Sequence, residues 1–201
     1  MTDPTKLLEK KSPRLNLGCG RFADPAWINV DCVALPGVDL VIDLNNLAQE
    51  KLPFPEDCIE QFSMSHVIEH IANVLPLMQE LYRVATPNAS LLIRCPHGAS
   101  DDAWEDPTHI RPIFLQSFGY FSQPFYWRAD YGYRGDWRVA ELKLLVSAAQ
   151  AIGKSDNELF ALIATQRNWV IEISAILVAV KPARACKKEL QLPLNIILER
   201  V

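Results

Sequence analysis

The sequence predicts one α/β domain built on a largely parallel sheet, and three observations predict it. Short apolar runs end in Asp or Ser, turn residues separate those runs, and a segment of helical period lies between the fourth run and the fifth. At 201 residues, with 49% hydrophobic and 22% charged residues, the chain carries enough apolar material for a single core with one sizeable insertion.

The elements follow in order. Leu15-Asn16-Leu17 enters a glycine-rich turn, Trp27-Ile28-Asn29-Val30 runs into Asp31, and Val38 to Ile42 runs into Asp43. A fourth run, Ile59 to Ser65, leads into a helix from about His70 to Val84. There Ile71, Val74, Leu75, Met78, Leu81 and Tyr82 recur on one helical face. Thr86-Pro87-Asn88 stops that helix, because the proline ring cannot continue it. Leu91-Leu92-Ile93 is the fifth strand, closed by Pro96. Strands of this kind alternating with helices place the ligand site at their carboxyl ends.

The texture changes from about Gly98 to Asp136. Eleven of the 18 aromatic residues lie between Trp104 and Trp137, without helix or strand periodicity, among Pro107, Pro112 and Pro124. This stretch reads as an insertion over the sheet edge that packs structurally or lines a substrate pocket. Trp137 to Val146 reads as a strand, although Val139, Leu142, Leu145 and Ala149 would also suit a helix. Asn168 to Lys181, rich in Val and Ile, reads as a long central strand. The tail alternates Leu190, Leu192, Leu194, Ile196 and Leu198, which predicts one more strand. Pro193 restricts that strand to a sheet edge or to the surface of a partner chain.

The formal net charge of -4 provides no electrostatic footprint for a nucleic acid. The N-terminal Lys6, Glu9, Lys10 and Lys11 leave no apolar signal region, and the apolar stretch Trp169 to Val180 is short and broken by Glu172, so no membrane segment is expected. Five cysteines without a CxxC pair indicate reduced thiols in a cytoplasmic protein, buried as small hydrophobes.

Gly18 and Gly20 end the first strand, where a missing Cβ lets the backbone turn sharply beside a ligand. Asp31 ends the second strand, where a carboxylate can accept hydrogen bonds from a ribose. Gly18-x-Gly20-x-x-Ala23 also matches a dinucleotide fingerprint. Spacing separates the two ligands. Only the ten residues Arg21 to Val30 lie between Gly20 and Asp31, and they include Pro25 and part of the second strand. The helix that would face a pyrophosphate has no room to form. The interval therefore favours S-adenosylmethionine over NAD.

Leu15-Asn16-Leu17-Gly18-Cys19-Gly20, Ile28-Asn29-Val30-Asp31, Asp43-Leu44, Leu52-Pro53-Phe54-Pro55 and Ser65-His66-Val67-Ile68-Glu69-His70, in this order, resemble the class I S-adenosylmethionine-dependent methyltransferases, in particular the type 11-like group. The resemblance covers roughly residues 14 to 96. It implies a Rossmann-like, seven-stranded, mostly parallel sheet with helices on both faces, an aromatic-rich insertion after strand 5 and an antiparallel last strand. The tail then adds an extra C-terminal edge strand. By the same resemblance the cofactor site draws on Asn16, Leu17, Gly18, Cys19, Gly20, Asp31, Cys32, Asp43, Leu44, Ser65 and His66. Gly18 and Gly20 would line the methionine moiety, Asp31 the ribose, Asp43 with Leu44 the adenine, and Ser65-His66 the sulfonium. Asn16 replaces an acidic residue of many relatives, and Arg21 a third glycine. The single domain, 1–201, thus divides into a cofactor-binding half (14–96), the aromatic insertion (98–136), the C-terminal half of the sheet (137–181) and a tail strand (182–201).

His66-Val67-Ile68-Glu69-His70 also matches the HxxEH pattern of zinc hydrolases, with a distant acid such as Glu141 as third ligand. The motif spans a strand-to-helix junction, which separates His66 from His70, and no metal is expected. Glu69 and His70 would instead cap the following helix, and His97 would top the fifth strand without chemistry. In Asp106-Pro107-Thr108-His109-Ile110-Arg111-Pro112, two prolines stiffen a loop that presents Asp106, His109 and Arg111 together. His109, oriented by Asp106, is a candidate base toward the acceptor, with His66 at the methyl group; the same loop could equally be pinned by its own hydrogen bonds. The expected activity is methyl transfer to a small-molecule acceptor such as a sugar, a metabolite or a natural-product scaffold. Trp104, Phe118, Tyr120, Phe121, Tyr126 and Trp127 would form a wall over it. A silent binding module, an NAD-dependent oxidoreductase and a zinc hydrolase are the alternatives, and the tail strand suggests a homodimer.

Overall fold

The computed structural model describes residues 7–9 and 13–201. The charged Lys6, Lys10 and Lys11 lie outside the described residues. Eight strands form one sheet: β1 (Arg14–Leu17), β2 (Ile28–Asp31), β3 (Leu40–Val41), β4 (Ile59–Ser65), β5 (Ala85–Cys95), β6 (Trp137–Val146), β7 (Val170–Ala179) and β8 (Ile196–Arg200). Their order across the sheet is β3-β2-β1-β4-β5-β7-β6-β8. The first five run parallel, β7 runs antiparallel between β5 and β6, and β8 pairs parallel with β6 at the far edge. The mostly parallel sheet, its antiparallel last strand and the added edge strand agree with the sequence reading.

Register explains the core. Ile28, Leu15, Phe62, Leu91 and Leu177 stand side by side across five strands, and Val30, Leu17, Met64, Ile93 and Ala175 form a second such row. All ten are at most 1% exposed. Because successive side chains in a strand point to opposite faces, the alternate residues form the other face. There Asn16, Ser63, Leu92, Ile176 and Glu141 line up only half-buried.

Helix α1 (Val74–Val84) follows β4 and buries Leu77, Met78, Leu81 and Val84. Trp137, fully buried, locks it to the sheet: its indole Nε1 donates to the Met78 carbonyl at 2.9 Å, and its ring meets Phe62 edge-on at 5.9 Å. The helix starts four residues later than the apolar period suggests, because Ile68–His70 forms a separate 3-10 turn and Ile71 is extended. Pro76 is tolerated in the first turn, where its missing N–H has no helical partner to lose. At the other end the chain leaves the helix at Ala85, before Pro87, and enters β5 directly.

Further helices are α2 (Asp102–Glu105), α3 (Ala148–Ala151) and α4 (Asp156–Thr165), the last with a Ser155–Glu158 capping box. Leu115–Phe121 and Gln123–Trp127 are 3-10 segments, whose three-residue turn accounts for the missing α and β periods in the aromatic insertion. Phe118, Phe121 and Tyr126 are buried in the core, so half of the proposed aromatic wall is packing, while Trp104, Tyr120 and Trp127 are exposed. Asp136, wholly buried, is held by both Arg184 Nε and Nη2 at 2.8 Å and by the Gln123 amide at 3.2 Å. The tail corrects one expectation. Only Ile196–Arg200 joins the sheet, whereas Lys188–Leu190 is a 3-10 turn and Pro193 stands ahead of the strand without an amide to pair. Cys32 and Cys186 are exposed, against the expectation of buried thiols, while Cys19 and Cys95 meet it.

Candidate active site

The turn after β1 holds Gly18 at φ 61° and Gly20 at φ 51°, the left-handed region that favours glycine. A Cβ on Gly18 would stand 2.4 Å from Val67 Cγ2, so the turn is packed directly beneath the segment that follows β4. The Gly20 amide donates to Asp31 Oδ2 at 2.8 Å, and the Val33 amide donates to Asp31 Oδ1 at 3.0 Å. Asp31 therefore ties together the two loops that flank the ligand position, and each oxygen retains a lone pair for a ligand. Between Gly20 and β2 the chain forms turns and no helix, as the short interval predicts.

A local network holds these loops. Asn16 Nδ2 donates to the Phe22 carbonyl at 3.2 Å and to Asn29 Oδ1 at 3.0 Å; Asn29, 1% exposed, also bonds the Asp24 backbone and Asp39. Asn16 thus fastens the loop instead of facing the cleft. Asn29 and Asp39 were not identified from sequence. A polar residue within an apolar strand run was the available signal for Asn29.

The cleft at the strand ends has a volume of about 240 Å³. Gly18, Asp31, Cys32, Asp43, Leu44 and His66 of the predicted set line it, and His70 joins them. Leu17 and Cys19 are buried beneath it, Gly20 stands at its rim as donor to Asp31, and Ser65 is exposed at the end of β4. Asp43 Oδ1 accepts from the Asn45 amide at 2.9 Å and caps the 3-10 turn Leu44–Asn46. Among the described residues the wall carries two carboxylates and neither Lys nor Arg.

His66 has φ 53°, an uncommon conformation for a residue with a side chain, and its amide donates to the Arg94 carbonyl at 2.8 Å. Its Nε2 is 3.0 Å from Glu172 Oε2, and its Nδ1 is 3.5 Å from Glu69 Oε1. The Glu69 carboxylate, opposed by burial and reinforced by Glu172, holds the His66 pKa above its ordinary value. Glu172 is 6% exposed and also pairs with Arg94 at 2.6 Å. Sequence reasoning took Glu172 only as a break in an apolar run and missed Arg94. A lone acid in a Val- and Ile-rich strand was the signal for Glu172.

The loop Asp106–Pro112 does not present its three polar residues together. Asp106 is exposed, and its Oδ1 accepts from the Thr108 amide at 2.8 Å and hydroxyl at 2.6 Å. His109 turns inward with its side chain 8% exposed, and its Nε2 is 3.9 Å from Asp106 Oδ2, outside hydrogen-bond range. Arg111 donates to the Ala72 carbonyl at 2.6 Å. Glu69 does not cap α1; it is buried in the preceding 3-10 turn. His66 and His70 do not share a helix, and Glu141 pairs with Lys143 on β6, so the HxxEH zinc arrangement is not formed. The residues that could hold a metal are instead Glu69, His70 and His109. His97 stands two residues beyond β5, its ring edge-on to Phe114 at 5.2 Å.

Comparison with known proteins accords with this geometry. The family described as methyltransferase domain matches residues 15–93, the part that builds the cleft. An S-adenosylmethionine-dependent methyltransferase from Archaeoglobus fulgidus shares the fold at 16% identity, with 87% of this chain and 91% of that one covered and a TM-score of 0.60. A second, from Thermotoga maritima, shares it at 13% identity, 84% and 81% coverage and a TM-score of 0.54. The YcgJ protein from Bacillus subtilis does so at 13% identity, 85% and 92% coverage and a TM-score of 0.52. No curated protein matches the sequence significantly.

Proposed function

We propose that this chain is a class I S-adenosylmethionine-dependent methyltransferase and that it methylates a small-molecule acceptor at the mouth of the β1–β2–β4 cleft. The observation that carries this reading is the cleft's polarity. Among the described residues Asp31 and Asp43 face it without Lys or Arg, and no helix N-terminus follows the glycine turn. A pyrophosphate would meet two like charges and no compensating dipole, whereas a sulfonium with a ribose diol meets attraction and two acceptors.

S-adenosylmethionine bound here supplies an already activated methyl group. The chain's own part is to bind, orient and exclude water. Gly18 lets Val67 pack directly on the turn, Asp31 receives the ribose hydroxyls, and Leu44, buried at the turn that Asp43 caps, forms the apolar floor for the adenine. Both ring nitrogens of His66 face carboxylates, so His66 shapes the wall beside the transferred methyl. His109 is turned inside and Asp106 is engaged with Thr108, which leaves neither placed as an accessible base. The acceptor that suits such a site is nucleophilic without help, such as a neutral amine. A net charge of -4 favours a small molecule over a nucleic acid. The outer edge of β8, where Ile197 is 38% exposed, is the proposed contact for a second copy and is testable by light scattering. Among the described residues no helix is long and apolar enough to cross a membrane.

The test is transfer of an isotopically labelled methyl group to panels of amine and hydroxyl acceptors. Label in an amine acceptor at neutral pH is the expected result. Cofactor binding without transfer to any panel would contradict the enzymatic reading and leave a silent binding module.

A further inference from the structure

Among the described residues five buried side-chain polar atoms lack a hydrogen-bond partner, and four of them belong to Glu69, His109 and Arg111. Both Glu69 carboxylate oxygens are in this set, and the Glu69 side chain is 3% exposed. Burying a carboxylate without hydrogen bonds is costly unless a cation lies against it. His66 Nδ1 approaches one oxygen to 3.5 Å without hydrogen-bond geometry, and its other nitrogen is already committed to Glu172. Two further imidazoles complete the surroundings. The rings of His70 and His109 stand 4.6 Å apart, and one ligand-type atom from each of Glu69, His70 and His109 lies within 4.8 Å of the others.

The outward nitrogens of these rings are the ones with neighbours. His70 Nδ1 faces the Thr108 carbonyl at 3.3 Å and its hydroxyl at 3.0 Å, which leaves Nε2 with its lone pair. His109 Nε2 lies 3.9 Å from Asp106, and the unpartnered, buried atom is Nδ1. His70 is oriented as metal-ligating histidines are, with its second ring nitrogen turned to a carbonyl. The two segments are also fastened independently of any ion. The Ile110 amide donates to the Glu69 carbonyl at 3.0 Å, and Arg111 donates to the Ala72 carbonyl at 2.6 Å.

We propose that Glu69, His70 and His109 form a binding site for a divalent first-row transition cation of the zinc type, beside the cofactor cleft whose wall includes His70. Two imidazoles and one carboxylate suit zinc and its neighbours, whereas magnesium and calcium prefer oxygen donors alone. The ion would clamp the 106–112 loop onto the turn after β4 and neutralise the buried carboxylate. This inference is independent of the methyltransferase reading, because its readout is metal binding.

The experiment titrates chelator-treated protein with zinc chloride by calorimetry, and with cobalt chloride followed by visible absorption. One equivalent of zinc is expected to bind and to raise the thermal unfolding midpoint, and cobalt should develop ligand-field bands. His109→Ala and His70→Ala should each weaken zinc binding by at least about 100-fold. Thr108→Ala, which keeps all three ligands, should weaken it by about 10–100-fold. Circular dichroism identifies the variants that remain folded, and Thr108→Ala, altered only on the surface, serves if both histidine variants unfold. Absence of saturable one-to-one zinc binding overturns the proposal. So does zinc affinity unchanged in the folded variants.

Discussion

The glycine turn after β1 and the Glu69–His70 turn after β4, on which the His109 loop packs, sit at the ends of adjoining strands, yet their buried polar groups are treated in opposite ways. Around the glycine turn the polar side chains are engaged: Asn29 and Asp39 bond each other, and Asp31 holds the Gly20 and Val33 amides. Around the histidine loop both oxygens of Glu69 and one nitrogen of His109 are left over. The first region is a finished scaffold that presents itself to a ligand. The second carries a buried carboxylate that lacks hydrogen bonds and is met only by His66 at 3.5 Å, which a ligand would complete. Fully satisfied polar networks rigidify a structure, and partly satisfied ones cost stability.

Substitutions can break or sharpen this contrast. The largest effect is expected for Asp31→Ala, which removes the acceptor for two loop amides and for the ribose. Loss of charge-assisted hydrogen bonds of about 2–3 kcal/mol corresponds to a fall in S-adenosylmethionine affinity of roughly 30- to 150-fold, measured by calorimetry. Asn29→Leu comes next. It strands the partners of a fully engaged side chain and should cost about 1–3 kcal/mol in urea unfolding.

Glu69→Gln tests the other region with the sign that distinguishes them. The cost of burying the charge is removed together with its 3.5 Å contact to His66, so the two offset and metal-free stability should change by less than about 1 kcal/mol. If Glu69→Gln costs more than Asn29→Leu, the contrast fails. The smallest effect concerns His97, a buried imidazole outside both regions whose pKa burial lowers from 6.5. The native state then binds fewer protons than the unfolded chain, so the His97 contribution is present above about pH 6.5 and is lost as pH falls through the lowered value. His97→Gln should flatten that part of the acid-unfolding curve.

The same contrast explains what was legible in the sequence. Gly18, Gly20, Asp31 and Asp43 lie within 26 residues, and the backbone between them has few ways to fold, so pattern and spacing located the cleft. The strands followed from short apolar runs bounded by turn residues and, in the tail, from period-2 alternation, which Leu190 to Leu194 kept without pairing, because alternation does not reveal whether an amide finds a partner. The Glu69–His70–His109 cluster joins residues 40 positions apart through a 3-10 turn and an inserted loop, neither of which carries a period. The pairing of His66 with Glu172 spans 106 positions and depends on β7 lying beside β5. Local hydrogen bonds leave a trace in sequence, whereas contacts set by strand order do not.

The cleft's polarity is tested most directly by calorimetric titration of the wild-type chain with S-adenosylmethionine, S-adenosylhomocysteine and NAD. One equivalent of each adenosyl ligand should bind, with NAD giving no heat of binding. Saturable NAD binding without S-adenosylmethionine binding would contradict the account.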